Sequence, residues 1–200
     1  MKRIAKALSI VIACIILCSV FTACMPSYLK DFINDASAEP TPPAPVDLAS
    51  LEDSALIQAV LDNIYYKTID CSSREEELPL LNEYERNFYV AFWFDSEVQW
   101  DGLYYYFYNC GYAYLPYTES SLTAVGATSH AKLFTDFCDE NHININDETV
   151  KNFRDNEDIF KKKMGTFDEF DTEYYSLVEN DPIEPLLAEY VRNNVEHFEW

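Results

Sequence analysis

Only four of the 200 residues are glycine. Tight hairpin turns need residues that enter positive φ, and glycine does so at least steric cost. A chain this poor in glycine is ill suited to a sandwich or barrel of many hairpins. It points instead to helices joined by polar loops. The hydrophobic fraction is 48%, with 15 Tyr, 13 Phe and 3 Trp, which supplies enough bulk for a dense core and excludes a disordered acidic tail.

The apolar spacing agrees with helices. Ser50 is placed to cap a helix, with Asp53 three residues on in a capping-box arrangement, and Leu56, Ile57, Val60, Leu61 and Ile64 follow at helical intervals. A longer helix is predicted over Glu77 to Val98, with Leu81, Tyr84, Phe88, Ala91 and Phe92 on its apolar side and Asn82, Glu83, Glu85, Arg86 and Asn87 on the other. Leu103 to Asn109 is almost wholly aromatic, and its neighbours favour helix over strand. Further helices are expected over Thr118 to Val125, stopped by Gly126, then over Ser129 to Glu140, Glu148 to Met164, Phe167 to Glu179 and Pro182 to Phe198, the last capped by Asp181. The predicted fold is all-α, a single multi-helix domain over residues 50–200.

The N-terminus reads as an export signal. Lys2, Arg3 and Lys6 precede an apolar run from Ala7 to Phe21, shorter than the roughly 20 residues of a membrane span. The run ends in Phe21-Thr22-Ala23-Cys24, which resembles the lipobox of bacterial lipoproteins, with Phe21 in place of the usual Leu, Val or Ile. This predicts a signal over residues 1–23 and lipidation of Cys24, which would hold the chain on the outer face of the cell membrane. Plain secretion and an uncleaved anchor are the competing readings. Residues 24–49 carry Pro40, Pro42, Pro43 and Pro45 and read as a semi-rigid tether.

Charge constrains the partners. Residues 51–200 hold 31 acidic and 10 basic residues, a net charge of −21. Phosphates would be repelled, so direct nucleic-acid binding is not expected. A basic protein partner, steered by the negative field, is.

A series of polar and aromatic residues runs through the middle of the chain: Asn82-Glu-Tyr-Glu-Arg-Asn-Phe-Tyr, Trp93-Phe-Asp-Ser-Glu-Val, Gly102, Tyr106-Phe-Tyr-Asn109 and Ala124-Val-Gly-Ala127. Phe167-Asp-Glu-Phe-Asp-Thr-Glu-Tyr-Tyr and Leu187-Ala-Glu-Tyr-Val-Arg-Asn follow. The series resembles the bacterial DNA mimic protein (DMP) family over about Asp62 to Phe198. Trp100 and Asp101 stand where that family has Asn and Gly, and Leu103 and Tyr105 where it has Phe and Gln. The resemblance implies an all-α fold. Its named member mimics DNA to occupy a DNA-binding protein. It also singles out Glu85, Trp93, Glu97, Gly102, Phe107 and Asn109 as family-motif positions.

Three roles are open to Glu85, Glu97 and Asn109. They bond loop backbone between helices, form a binding pocket, or supply a catalytic carboxylate pair, for which a pair alone is weak evidence. The tyrosine-rich run Tyr104 to Tyr108 belongs mainly to the core, with one or two rings reaching the surface. His130, His142 and His197 have no metal-like spacing, and Asp139 to Glu148 lacks the glycine and ligand order of a calcium loop, so no metal or cofactor is expected. Beyond Cys24, the thiols of Cys71, Cys110 and Cys138 are odd in number. One pair among three possible pairings is open to them, and so are buried free thiols. No nucleophile elbow, zinc motif or phosphate loop is present, and no catalytic residue is assigned. The sequence therefore suggests a membrane-anchored, non-catalytic protein- or peptide-binding module, with DNA mimicry as the alternative.

Overall fold

Pro79, Gly102 and Gly126 mark the places where the chain stops one helix and turns into the next. The computed structural model describes residues 42–198 except 45 and 163. The signal, Cys24 and the tether as far as residue 41 lie outside the described residues.

The fold takes hold before Ser50. Leu48 is buried in a 3-10 turn, Leu48–Ser50, capped by Asp47, whose carboxylate accepts from the Ala49 N–H at 3.2 Å. The Ser50 hydroxyl donates to the Asp47 carbonyl at 2.8 Å, so it closes this turn and does not cap the following helix. Helix α1, Asp53–Thr68, starts from Glu52 and buries Leu56, Ile57, Val60, Leu61 and Ile64, as their spacing predicts.

The helix predicted from Glu77 is three pieces. A single turn, α2 (Arg74–Glu77), runs into the 3-10 turn Leu78–Leu80, where Pro79 supplies no N–H. The chain then restarts at Asn82. Its side chain accepts from the N–H groups of Tyr84 and Glu85 at 2.9 and 3.0 Å, and the Glu85 carboxylate accepts from the Asn82 N–H at 3.0 Å. This reciprocal capping box opens α3, Glu83–Asp101.

Leu103 to Asn109 and Thr118 to Val125 belong to one helix, α4, Leu103–Ala124. It runs through Pro116, which is exposed and supplies no N–H to the helix. Gly126, at φ +88°, ends it. Helix α5, Thr128–Glu140, buries Ala131, Phe134, Phe137 and Cys138. The predicted charged helix from Glu148 is broken into α6 (Glu148–Lys151), a 3-10 turn (Phe153–Asn156) and α7 (Glu157–Lys161). Helix α8 covers Met164–Val178. Helix α9, Ile183–Asn193, has Pro182 in its N-cap position with no side-chain cap, one residue after the Asp181 expected there. A final 3-10 turn spans Val195–His197. Among the described residues there is no strand.

Helices α3 and α4 form the central antiparallel pair. Helices α5, α6 and α8 pack on α4, and α1 and α9 pack together beside α3. The core is aromatic. The buried ring of Phe94 (α3) meets Tyr106 (α4), Phe134 (α5) and Tyr174 (α8) edge-on, at 5.1, 5.6 and 5.6 Å. Edge-to-face contacts of this kind add to plain burial. Tyrosine hydroxyls inside the core are satisfied locally: Tyr106 pairs with Thr118 at 2.7 Å, and Tyr174 donates to the Asp95 carboxylate at 2.7 Å.

His130, at the start of α5, is fully buried beside Tyr174, and neither ring nitrogen has a partner. Burial lowers its pKa, and the Asp181 carboxylate opposes this less strongly. The folded state therefore binds this proton less readily than the unfolded chain, whose histidine titrates near ~6.5. Its contribution to stability is present above that value and is lost as pH falls below it, with a limiting slope of about 1.4 kcal/mol per pH unit. Urea unfolding of wild type and His130→Leu is expected to diverge below that pH, with the variant losing less stability on acidification.

Candidate functional site

The motif residues do not form one cluster. Trp93, Glu97 and Asn109 lie around the junction of α2, α3 and α4, and Glu85 lies at the start of α3 against Lys67 of α1. Gly102 and Phe107 act elsewhere, one at the α3–α4 corner and one in the core. Phe107 is buried against Phe134, Phe153 and Phe167.

Glu85 is the only buried acid among the described residues. The helical wheel places it on the polar side of α3. The fold instead turns it inward, where one carboxylate oxygen completes the capping box and the other receives the Lys67 ammonium. This is a structural role, since an unmatched buried carboxylate would be costly. Glu97 accepts from the Asn109 side chain at 2.9 Å, one helix across. Its other oxygen faces Arg74 at 3.8 Å.

Arg74 organises this junction, and sequence reasoning missed it. Its guanidinium lies over Trp93 at 4.6 Å and over Tyr114 at 5.2 Å, and it donates to the Tyr114 hydroxyl at 3.0 Å. Tyr114 and Tyr89 in turn donate to the Glu77 carboxylate, both at 3.2 Å. The motif tryptophan is therefore a platform for a cation. Cys110 is buried beside this network. Burial pushes its thiol up to about 12, with Glu97 adding to the effect, so it is a neutral packing group. Cys71 and Cys138 are also free thiols. Among the described residues no His, Cys, Asp and Glu side chains are grouped to hold a metal ion.

Gly102 has φ +87° and ψ 168°. A Cβ there would collide with the Asp171 carboxylate of α8. That carboxylate accepts from the Leu103 N–H at 2.8 Å and so caps α4 from a distant part of the chain. Burial raises the Asp171 pKa, and the Leu103 hydrogen bond opposes it. The same corner presents exposed aromatic surface at Trp100, Tyr105 and Tyr175, which are 40%, 46% and 44% exposed. Tyr175 reaches back to donate to the Val98 carbonyl at 3.2 Å. Tyr104, Tyr106 and Phe107 of the aromatic run are buried, as its dense spacing predicts.

The surface charge is unevenly answered. Apart from Glu85, every described acid is at least partly exposed. Most of the described cations have a partner, several of them at the surface. Lys132 pairs with Asp136, Lys161 with Glu157 at 3.0 Å and Arg192 with Asp53 at 2.7 Å, while Arg86 and Arg154 lie over the rings of Tyr117 and Tyr108.

The order of these motif residues along α3 and α4 is that of a known family, whose model, described as DMP19-like protein, matches residues 79–194. The chain belongs to the DMP19-like family. No curated protein and no solved structure matches the chain. The DMP19-like span begins in the Leu78–Leu80 turn and ends just after α9, so α3 to α9 lie within it. Lys67 and Arg74, the cations that answer the family-motif residues Glu85 and Glu97, come from the segment before it. The departures from the family core at Trp100, Asp101 and Tyr105 all sit at the α3–α4 corner, on the exposed side of this DMP19-like domain.

Proposed function

We propose that this protein is a non-catalytic binding module whose acidic helical domain engages a positively charged protein surface, presented on the outer face of the cell membrane by a lipid on Cys24. The observation that carries the reading is the asymmetry of charge: the acids far outnumber the bases and nearly all are at least partly exposed, while most of the described arginines and lysines are engaged by neighbouring side chains. Such a surface accelerates encounter with a basic partner and rejects acidic ones. The exposed rings at the α3–α4 corner offer apolar anchors beside Asp101, since aromatic side chains carry a large share of binding energy at interfaces.

Membership in the DMP19-like family favours a second reading, in which the partner is a DNA-binding protein and the acids stand in for phosphates. Duplex DNA carries about one charge per 1.7 Å of axis, and a helical scaffold this acidic has enough carboxylates to imitate part of it. Capture from host extract on the immobilised full chain, at low and high salt, separates the readings. A partner released by salt supports the electrostatic module. A partner that duplex DNA also displaces supports mimicry. Absence of any salt-sensitive partner overturns both.

The anchor is tested on its own. Incorporation of a palmitate analogue in a bacterial host is expected for wild type and is expected to vanish in Cys24→Ala, with the domain accessible to protease on intact cells. Among the described residues no helix is long and apolar enough to cross a membrane.

A further inference from the structure

A cleft of about 500 Å³ opens where α2, α4 and the Phe153–Asn156 turn meet, next to the Arg74 junction but on its solvent side. This volume lies in the range of small-molecule sites. Two of the four arginines that follow residue 50 stand on its walls, Arg74 and Arg154. In a domain of strongly negative charge, finding both there is the feature to explain.

Both guanidinium groups are already oriented. Arg74 is fixed over Trp93 and Tyr114, and its ion pair with Glu97, at 3.8 Å, is long. Arg154 lies over the Tyr108 ring at 4.9 Å and donates its Nε–H to the Tyr108 carbonyl at 2.8 Å. Orienting a donor in advance removes much of the entropy cost of binding, and a planar guanidinium suits a carboxylate. Asn109 and Asn152 add amide groups to the walls. Glu75 and Asp155 line the same cleft, and both are exposed. Two cations and two carboxylates thus line the cleft, with Glu97 behind Arg74 and outside the lining. A phosphate dianion would gain from the first pair and lose to the second. A molecule with one carboxylate and one ammonium gains from both.

We propose that this cleft binds a free amino acid or a similar small zwitterion, its carboxylate toward Arg74 and Arg154 and its ammonium toward Glu75 and Asp155. The site is separate from the protein-binding surface and does not depend on that reading. Nor does it use Cys110, which is held as a neutral, buried thiol.

The test is titration of the full chain in detergent with each common L-amino acid, followed by calorimetry or ligand-detected NMR, with acetate, methylamine and phosphate as single-charge and dianion probes. One or more amino acids are expected to bind more tightly than any of the three probes. Arg154→Ala is expected to weaken that binding about tenfold or more, the scale of a lost hydrogen bond to a charged group. Asp155→Asn is expected to weaken the amino acid and to leave acetate binding no weaker. Asp155 is exposed, so Asp155→Asn should keep the wild-type unfolding midpoint. Arg154→Ala also gives up the Tyr108 contacts, so its binding is measured where its own unfolding curve shows it fully folded, and loss of binding there is not loss of fold. The proposal is overturned if no amino acid binds, if phosphate binds more tightly than every amino acid, or if either variant binds the amino acid as wild type does.

Discussion

Alanine at Gly102 is expected to lower the free energy of unfolding by about 2–4 kcal/mol, from a backbone conformation that is essentially glycine-only and a lost helix cap. The two contributions come from one place. The φ of +87° strains any residue with a Cβ, and that Cβ would also enter the space of the Asp171 carboxylate. Asp171 would have to move, which releases the Leu103 N–H it now accepts. Urea unfolding at neutral pH measures the loss. Adding Asp171→Gly to Gly102→Ala removes the collision but not the strain or the missing cap. The double variant should therefore stay well below wild type, and recovery of the wild-type midpoint would show that the collision alone was responsible.

Phe94→Ala is expected to cost about 3–5 kcal/mol, the range for deleting a buried aromatic ring and leaving a cavity. Phe94 has no exposed surface, and its ring is shared by α3, α4, α5 and α8. Partial collapse around it would need several helices to shift together, which places the cost at the upper end. Phe94→Leu keeps most of the volume and should cost clearly less. Tyr105→Ala, on the exposed side of the aromatic run, should change stability by no more than about 0.5 kcal/mol. If Phe94→Ala and Tyr105→Ala were equally mild, the four-helix aromatic junction would not be what holds the core together.

The all-α class was legible because it rests on two global properties, scarce glycine and apolar residues at helical intervals. Individual boundaries depend on local chemistry that spacing does not report. Pro79 divides what periodicity joins, and α4 joins the segments Leu103 to Asn109 and Thr118 to Val125 that spacing separates. The Asn82–Glu85 capping box was present in the sequence as a polar residue followed three places later by glutamate. The apolar pattern of the longer predicted helix runs straight through it and hides it. Glu85 was therefore placed on the solvent side, whereas capping and Lys67 draw it inside.

The site was less legible still. The pairing of Glu97 with Asn109 joins neighbouring helices at motif positions, so the resemblance pointed to both residues without giving the contact. Arg74 sits in an acidic run, and nothing in its neighbours announces a guanidinium stacked on Trp93. Asp171 caps α4 from 68 residues away, a relation that only the tertiary fold creates. Long-range caps and cation–π platforms leave no periodic trace in a chain.

Lys67 and Arg74 enter the fold from outside the region that defines the family. A fragment trimmed to residues 79–194 would keep the whole inherited pattern and lose both cations, along with α1, which α9 packs against and ties through Arg192 to Asp53 and the Leu51 carbonyl. Its Glu85 would be left without the ammonium that answers it, and one side of α9 would face water. In this chain the stretch that carries the family pattern is shorter than the stretch that packs together.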